Sequence, residues 1–597
     1  MNIARASIKR KTVILFLCVL AVVAGVMAYV EMGKLEDPSF TIKTAVVTTQ
    51  YQGATATEVE TEVTSRIEDA IQAMGEVKEI RSRSTDGLSI IYVDIKSTYT
   101  AEDLPQIWNV LRQKVTDVTP SLPPGASEPI VNNDFGDVFG QFYALVGDGY
   151  SMKELWDHAD FLKKQLVLLP GVARVSITGD QTEAIYVEFS RTKLSTLGLS
   201  PQAIFGVLNK QNTVSAVATS SLGSEFLRID PTSAITDVND IGDLVLGGSG
   251  ANLIRLRDVA EIRRDYLDPP RFLIRRDGRP ALGIGISSVA GGNVVTMGEL
   301  IKKRLAELEE MTPIGMELEE IYMQSDAVTE SVNNFIINLI ESVVIVVGVL
   351  LIFMGLRSGL LIGGVLVLTI AATFTIMNIE GIFLQSVSLA ALIIALGSLV
   401  DNAIVVTEGI LVGVQRHQSA EDAASDTVGG TVWALLGGTI IAVLAFAPIG
   451  LSPDSTGEYC KSLFQVVGIS MLLSWLLAIT VTPVLGTMTL KPSVTHTDPY
   501  NQPLFRAYRA VLEWCLRYRW LTIGTVLALF VLSIIGFNFV DKSFFPDAGG
   551  VYYITDLYQP QGRSIESQSA HTRELEEFLL KQPETKNVTS FIGGGAL

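Results

Sequence analysis

A single carboxylate in the middle of an apolar stretch has the clearest chemical consequence in this sequence. Residues 389–412 are apolar for long enough to cross a bilayer, since about 20 residues at 1.5 Å each span the hydrocarbon. Asp401 lies at the centre of this stretch, next to Asn402. A charged side chain there costs about 2.5–3.5 kcal/mol on insertion scales, and such residues usually serve ion or proton movement and face other helices. Asp401 is therefore a candidate proton carrier; the alternative is a permanently protonated aspartate that only holds helices together.

The composition fits a membrane protein with large acidic portions in water. The chain has 597 residues and a formal net charge of −18, yet its mean hydropathy is positive, at +0.37. These values are compatible if apolar spans alternate with acidic, water-exposed domains. Net acidity without a long basic run argues against binding to nucleic acid.

The usual motifs of enzymes and metal sites are missing from the sequence. There is no CxxC, HExxH or GxxxxGK[ST], and the chain has only four histidines. Its three cysteines, Cys18, Cys460 and Cys515, lie far apart and imply no disulfide framework. We therefore expect no catalytic residues, no metal site and no ATP-binding loop, and an enzyme is the least supported class.

Seven apolar segments are predicted to span the membrane. They are residues 12–30, 335–354, 360–377, 389–412, 432–449, 463–485 and 520–539. Basic residues before the first segment place the N-terminus in the cytoplasm. A cleaved signal peptide is the alternative, but the first segment is longer than a usual signal core. Arg357 and the basic loop 486–519 then also lie inside, as the positive-inside rule requires.

The large water-exposed insert at residues 31–334 alternates strands and helices, as in split βαβ (ferredoxin-like) units. Capping boxes at residues 57–60 and 151–154 are predicted to open two of its helices. Residues 181–270 are predicted to be a separate module inserted in the second unit.

An internal repeat relates the two ends of the chain. A basic flank, a span, a strand and an acidic helix occur in this order at residues 10–75 and again at 517–580. Parallel repeats of this kind are typical of secondary transporters. The sequence therefore predicts the first half of a transporter, followed by the start of a second periplasmic domain at residues 541–597.

Several motifs resemble those of the resistance-nodulation-division (RND) efflux transporters, in the hydrophobe and amphiphile export branch. They are YQGATATEVETEVTSRIEDAI, LPPG, LGLSPQAIFGVLNKQN, FMGLRSGLL, LGSLVDNAIVVTEGI, STG at residues 455–457 and TPVLGTMTLKP. The resemblance implies a homotrimer in the bacterial inner membrane, driven by protons without another cofactor, with a periplasmic adaptor and an outer-membrane channel as partners. By position, residues 31–131 resemble a first porter subdomain, 132–180 with 271–328 a second, and 181–270 a docking subdomain.

The resemblance also assigns roles to individual residues. Members of the family carry two adjacent aspartates in the fourth span, so Asp401 matches the first and Asn402 replaces the second. Asp401 alone should then carry the proton, with a family lysine from the second half as its partner, and residues 1–597 alone should not complete the relay. Glu341, in the second span, matches an accessory carboxylate; snorkelling to the interface or helix capping is an equally open role.

The export pocket is less well defined by the sequence. Phe142 matches an aromatic residue of the family's drug pocket, whereas Thr178 stands where another aromatic residue is common; an ordinary core position is the alternative for Phe142. Other functions left open are a metal-ion or lipid exporter of the same superfamily, or a translocation or sensing protein. The scattered methionines do not favour a metal exporter.

Overall fold

A computed structural model describes residues 3–38, 41–133, 139–211, 218–222, 225–229, 237–249, 252–289, 291–490, 503–540, 552–560 and 562–593. Seven helices in these ranges are long and apolar enough to cross a membrane. They are α2 (Lys11–Glu31), α12 (Gln324–Met354), α13 (Leu356–Ile379), α14 (Ser386–Gln415), α15 (Ala420–Gly450), α16 (Ser455–Thr489) and α18 (Arg519–Phe537). Each overlaps one apolar segment of the sequence. The helices α12 and α15 begin more than ten residues earlier, because backbone hydrogen bonding continues where the side chains become polar.

Three of these helices form the centre of the bundle. In the most apolar part of each helix, the share of buried residues is 61% for α13, 56% for α14 and 44% for α16, whereas no residue of that part of α18 is buried. Small residues permit close contact: a Cβ added at Gly25 of α2 would lie 2.4 Å from the backbone oxygen of Ala371 on α13. A short helix, α1 (Ile3–Lys9), packs against α15 and α16, where Arg5 pairs with Asp422 at 3.0 Å.

The first sheet unit follows α2. Its strands are β1 (Thr44–Gln50), β2 (Val77–Thr85), β3 (Leu88–Ile95) and β4 (Ile130–Asn132), in the antiparallel order β2-β3-β1-β4. The helices α3 (Ala56–Val59), α4 (Ser65–Gln72) and α5 (Leu104–Val118) accompany the sheet. Alternate residues of β3 are buried, as expected for a strand with one face on a core.

One predicted helix start in this unit was wrong by two residues. The capping box is formed by Thr55 and Glu58, not by residues 57–60, and hydrogen bonds from Thr55 hold the pKa of Glu58 below its usual range. Thr55 has extended backbone angles, which a side chain needs in order to cap the turn that follows. The second predicted box is confirmed, with Ser151 and Glu154 at the start of the helix α6 (Met152–Leu166).

The second sheet unit combines distant parts of the chain. Its strands are β5 (Gln141–Gly147), β6 (Val172–Thr178), β13 (Leu273–Arg276), β14 (Arg279–Ser288), β15 (Met316–Met323) and β16 (Thr589–Ile592). The order is β15-β5-β14-β13-β16, with β6 paired to β14, and α6 and α11 (Val294–Leu308) supply the main core. The strand β16, beyond the seventh span, joins this sheet, a pairing that the sequence did not predict.

A smaller module lies between β6 and β13. Its elements are β7 (Glu183–Phe189), α7 (Arg191–Thr196), α8 (Pro201–Gln211), β8 (Ala218–Leu222), β9 (Glu225–Ile229), α9 (Val238–Gly242), β10 (Val245–Ser249), β11 (Asn252–Arg255), α10 (Leu256–Val259) and β12 (Ala260–Tyr266). The antiparallel pair β7–β12 brings the two ends of the module together.

Two further helices lie near the C-terminal end, α17 (Pro503–Arg517) and α19 (Ile565–Leu579). In the predicted second copy of the repeat, α19 corresponds to the expected helix, but the described residues 552–560 form no strand. A strand needs a paired neighbour for its backbone hydrogen bonds, and no described strand pairs with these residues.

Candidate proton and substrate sites

The helix α14 places Asp401 and Asn402 on different faces. Adjacent residues of an α-helix point about 100° apart, so one face cannot hold both side chains. Asn402 is 6% exposed and lies between α14, α15 and α16, whereas Asp401 is exposed. The two neighbours in sequence therefore have different surroundings.

Asn402 is held in a neutral polar cluster. Its amide nitrogen donates to the hydroxyl of Thr439 on α15 at 3.4 Å and to that of Ser474 on α16 at 3.3 Å. Ser474 in turn donates to the backbone oxygen of Leu399 at 2.6 Å. Buried polar groups need such partners, and interhelical bonds of this kind stabilise membrane bundles by about 0.6–1.7 kcal/mol each. The cluster joins the three helices at the depth of Asp401.

Asp401, which is predicted to face other helices, is exposed in the described part of the chain. The buried side of α14 carries Leu396, Leu399 and Ala403, which pack among the neighbouring helices. Asp401 lies on the open side together with Glu408, two turns further along, or about 10.5 Å. Sequence reasoning overlooked Glu408, although a spacing of seven residues on a helix was a signal that the two carboxylates share a face.

Glu341 does not belong to the polar cluster around Asn402. It lies on α12 and is exposed, while the described hydrogen bonds of the Asn402 side chain go to Thr439 and Ser474. Of the three residues predicted for the relay, Asn402 lies in a buried cluster, Asp401 lies on the open face of α14, and Glu341 lies on a separate helix, α12.

Phe142 and Thr178 do come together, on either side of Gly283 in β14. A Cβ added at Gly283 would lie 2.6 Å from the Phe142 ring and 2.6 Å from the Thr178 hydroxyl. That hydroxyl donates to the backbone oxygen of Gly283 at 3.4 Å. Phe142 is 7% exposed, and its ring stacks on Phe139 with centroids 5.9 Å apart.

Two more aromatic residues extend this cluster. The ring centroid of Phe591, from β16, lies 6.0 Å from that of Phe142 and 6.3 Å from that of Phe272. We call Phe139, Phe142, Phe272 and Phe591 the aromatic cluster. No local sequence pattern pointed to Phe591, because it lies 449 residues after Phe142 and meets it only through the pairing of β16 with β13.

Replacing Gly283 with alanine should disturb this arrangement. The added methyl group must displace Phe142 or Thr178, and overpacking of this kind costs about 1–3 kcal/mol. Thermal unfolding of the purified protein would show a lower transition for Gly283→Ala. The control is Gly206→Ala on α8, where an added Cβ meets nothing within 4 Å and should be neutral or slightly stabilising. Equal transitions for the two variants would contradict the packing described.

Metal ligands show no comparable clustering. Within the described ranges, no group of three or more His, Cys, Asp or Glu side chains is placed to hold a metal ion. The chemistry available at α14 is therefore that of carboxylates, amides and hydroxyls.

Comparison with known protein families identifies a match over nearly the whole chain. The model of the AcrB/AcrD/AcrF family matches residues 3–596. Proteins of this family are RND permeases, which transport hydrophobic compounds or similar substrates, and they typically work as trimers with an adaptor and an outer-membrane channel. Because the match covers nearly the whole chain, and seven of its helices can cross a membrane, this protein belongs to the AcrB/AcrD/AcrF family of RND permeases.

Proposed function

We propose that this protein exports drugs or other amphiphiles from the inner membrane or periplasm, driven by proton influx. It acts as the homotrimeric permease of a tripartite system with a periplasmic adaptor and an outer-membrane channel. Family membership supports the transport class, and Asp401 at the middle of an apolar helix is the observation that supports the energy source.

The coupling site in this proposal uses a single carboxylate of α14, that of Asp401. Asp401 binds a proton from the outer side and releases it inward, while Asn402 cannot ionise and holds α14 to α15 and α16 through Thr439 and Ser474. Two adjacent carboxylates would titrate as a coupled pair, but a single carboxylate titrates alone. Glu341 serves as an accessory site on α12.

The substrate pocket is built around Phe142 and Thr178. Aromatic side chains offer flat apolar faces to amphiphiles, and Phe139 and Phe591, which are partly exposed beside the buried ring of Phe142, extend the proposed pocket. In this proposal residues 31–131 form the first porter subdomain, 132–180 with 271–328 form the second, and 181–270 form the docking subdomain.

Export of a fluorescent amphiphile from cells that express the complete gene product tests this function. We expect energised cells to export the dye and a protonophore to raise its retention to the level of cells without the protein. Export that persists with the protonophore and stops when ATP is depleted would contradict proton coupling. Copurification with an adaptor and an outer-membrane channel tests the tripartite assembly separately.

A further inference from the structure

The segment between α2 and β1 is attached to the outer end of α14. We call residues 33–38 and 41–43 the strap. Leu35 donates its backbone N–H to the oxygen of Leu384, and Leu384 donates to the oxygen of Gly33, both at 3.0 Å. Ser386, the first residue of α14, donates to the backbone oxygen of Glu36 at 3.0 Å. Backbone pairing therefore joins the strap to α14 where that helix begins.

One carboxylate of the strap contacts two membrane helices. An oxygen of Asp37 accepts from the hydroxyl of Ser386 on α14 at 2.8 Å and from that of Tyr459 on α16 at 2.9 Å. Hydrogen bonds to an ionised acceptor are roughly twice as strong as neutral ones. Asp37 thus links the outer ends of the helix that carries Asp401 and of the helix that carries Ser474.

A second carboxylate connects α16 to the first sheet unit. Glu458, in the first turn of α16, accepts from the backbone N–H of Thr41 at 3.2 Å and also from its hydroxyl. It pairs with Lys43 at 3.6 Å, where the side chains of Lys43 and Glu458 are only 11% and 31% exposed. Lys43 also donates to the backbone oxygen of Ser97, beyond β3. The strand β1 begins at the next residue, Thr44.

These contacts connect the helix that carries Asp401 to the first sheet unit through a short series of bonded segments. The helices α14 and α16 are held together by the hydrogen bond from Ser474 to the backbone oxygen of Leu399, so a tilt of one is shared by the other. The strap is hydrogen-bonded to the outer ends of both helices, and β1 begins directly after the strap. Coupling between distant sites needs such a contiguous set of packed elements that responds as a unit.

We propose that Asp37 and Glu458 are positioning residues that pass movement of α14 and α16 to the first sheet unit. This inference rests on the proposed proton-coupled export. The two carboxylates take no part in proton transfer at Asp401; they make the strap move together with the helices. Without them, protonation and release at Asp401 continue, but the movement no longer reaches β1.

The test compares proton flux with export in the complete gene product. Asp37→Asn and Glu458→Gln keep the size of each side chain and remove its charge. The control, Glu380→Gln, alters an exposed carboxylate between α13 and α14. Dye export is measured in cells, and proton influx is measured in proteoliposomes with a pH-sensitive dye.

We expect the two test variants to lose about tenfold or more of export, because an amide oxygen accepts these hydrogen bonds more weakly than a carboxylate does, with proton influx within about twofold of wild type. Glu380→Gln should match wild type in both assays. Parallel loss of export and proton influx, or loss of neither, would overturn the proposal. If wild type itself shows no protonophore-sensitive export, the proposed function fails instead.

A cross-link provides a second test that does not rely on weakening the hydrogen bonds of the strap. Lys34 and Leu384 lie opposite each other in a parallel bridge, so Lys34→Cys with Leu384→Cys can form a disulfide in a background without the native cysteines. Because the strap and α14 move as one unit, the oxidised protein should export as well as the reduced protein. Export that is lost on oxidation and returns on reduction would overturn the proposal.

Discussion

Asp401→Asn should reduce proton-coupled export at least about a hundredfold, the lower range for loss of a proton-transferring group, while the protein remains folded. The substitution keeps the size of the side chain and removes its only titrating group. Because Asp401 lies on the open side of α14, outside the cluster that joins the helices, the packing of the bundle does not depend on its charge. Dye export, the amount of protein in the membrane and thermal unfolding should be measured together.

The neighbouring residue, Asn402, offers a matched control for which we expect the opposite result, lower stability with retained export. Asn402→Ala removes the hydrogen bonds to Thr439 and Ser474 and should destabilise the bundle by about 0.6–2 kcal/mol, while leaving the proton carrier in place. We therefore expect Asn402→Ala to lower the thermal transition but to retain protonophore-sensitive export. If Asp401→Asn exports as well as wild type, Asp401 is structural and the proton path lies elsewhere.

Arg275→Ala should destabilise the second sheet unit by about 3–5 kcal/mol, because it leaves a buried charge without its partner. The guanidinium of Arg275 on β13 pairs with Glu576 on α19 at 3.0 Å, and the two side chains are only 7% and 3% exposed. Arg275 also donates to the hydroxyl and the backbone oxygen of Ser569 at 2.7 and 3.0 Å. One side chain therefore holds α19 against the sheet that β16 joins through its pairing with β13.

Hydrogen exchange measures the loss of stability locally, in β16 and α19. Backbone amides of β16 and α19 should exchange about a hundredfold faster or more in Arg275→Ala than in wild type, as local stability falls by that amount. The control is Arg279→Ala, which removes a more exposed pair with Glu319 and should change stability by no more than about 1 kcal/mol. Similar exchange in the two variants would show that the buried pair does not hold the segment.

The double variant Arg275→Met with Glu576→Leu separates charge from packing. It removes both charges and keeps apolar volume, and such replacements of buried pairs are often neutral or stabilising. We expect it to recover most of the protection that Arg275→Ala loses. No recovery would indicate that the hydrogen bonds to Ser569, rather than the unpaired charge, dominate the loss.

Features that depend on residues close together in the chain could be predicted from the sequence. Seven apolar segments of about 20 residues became seven helices able to cross a membrane, because only a helix of that length satisfies its own backbone in hydrocarbon. The sequence also located Asp401 within one of them, and the cap at Ser151 followed from the spacing of a serine and a glutamate.

Which distant groups contact each other depends on the packing of the folded chain. The stretch that contains Asp401 has apolar residues around most of the helix, so its sequence alone does not indicate which face packs against other helices, and the neighbouring helices bury Asn402. The pairing of β16 with β13 brings Phe591 to Phe142 and Glu576 to Arg275 across about 300 residues or more. The strap likewise meets α14 and α16 only in the folded chain. Contacts between distant segments depend on the packing of the whole bundle and sheet, which no local pattern of residues encodes.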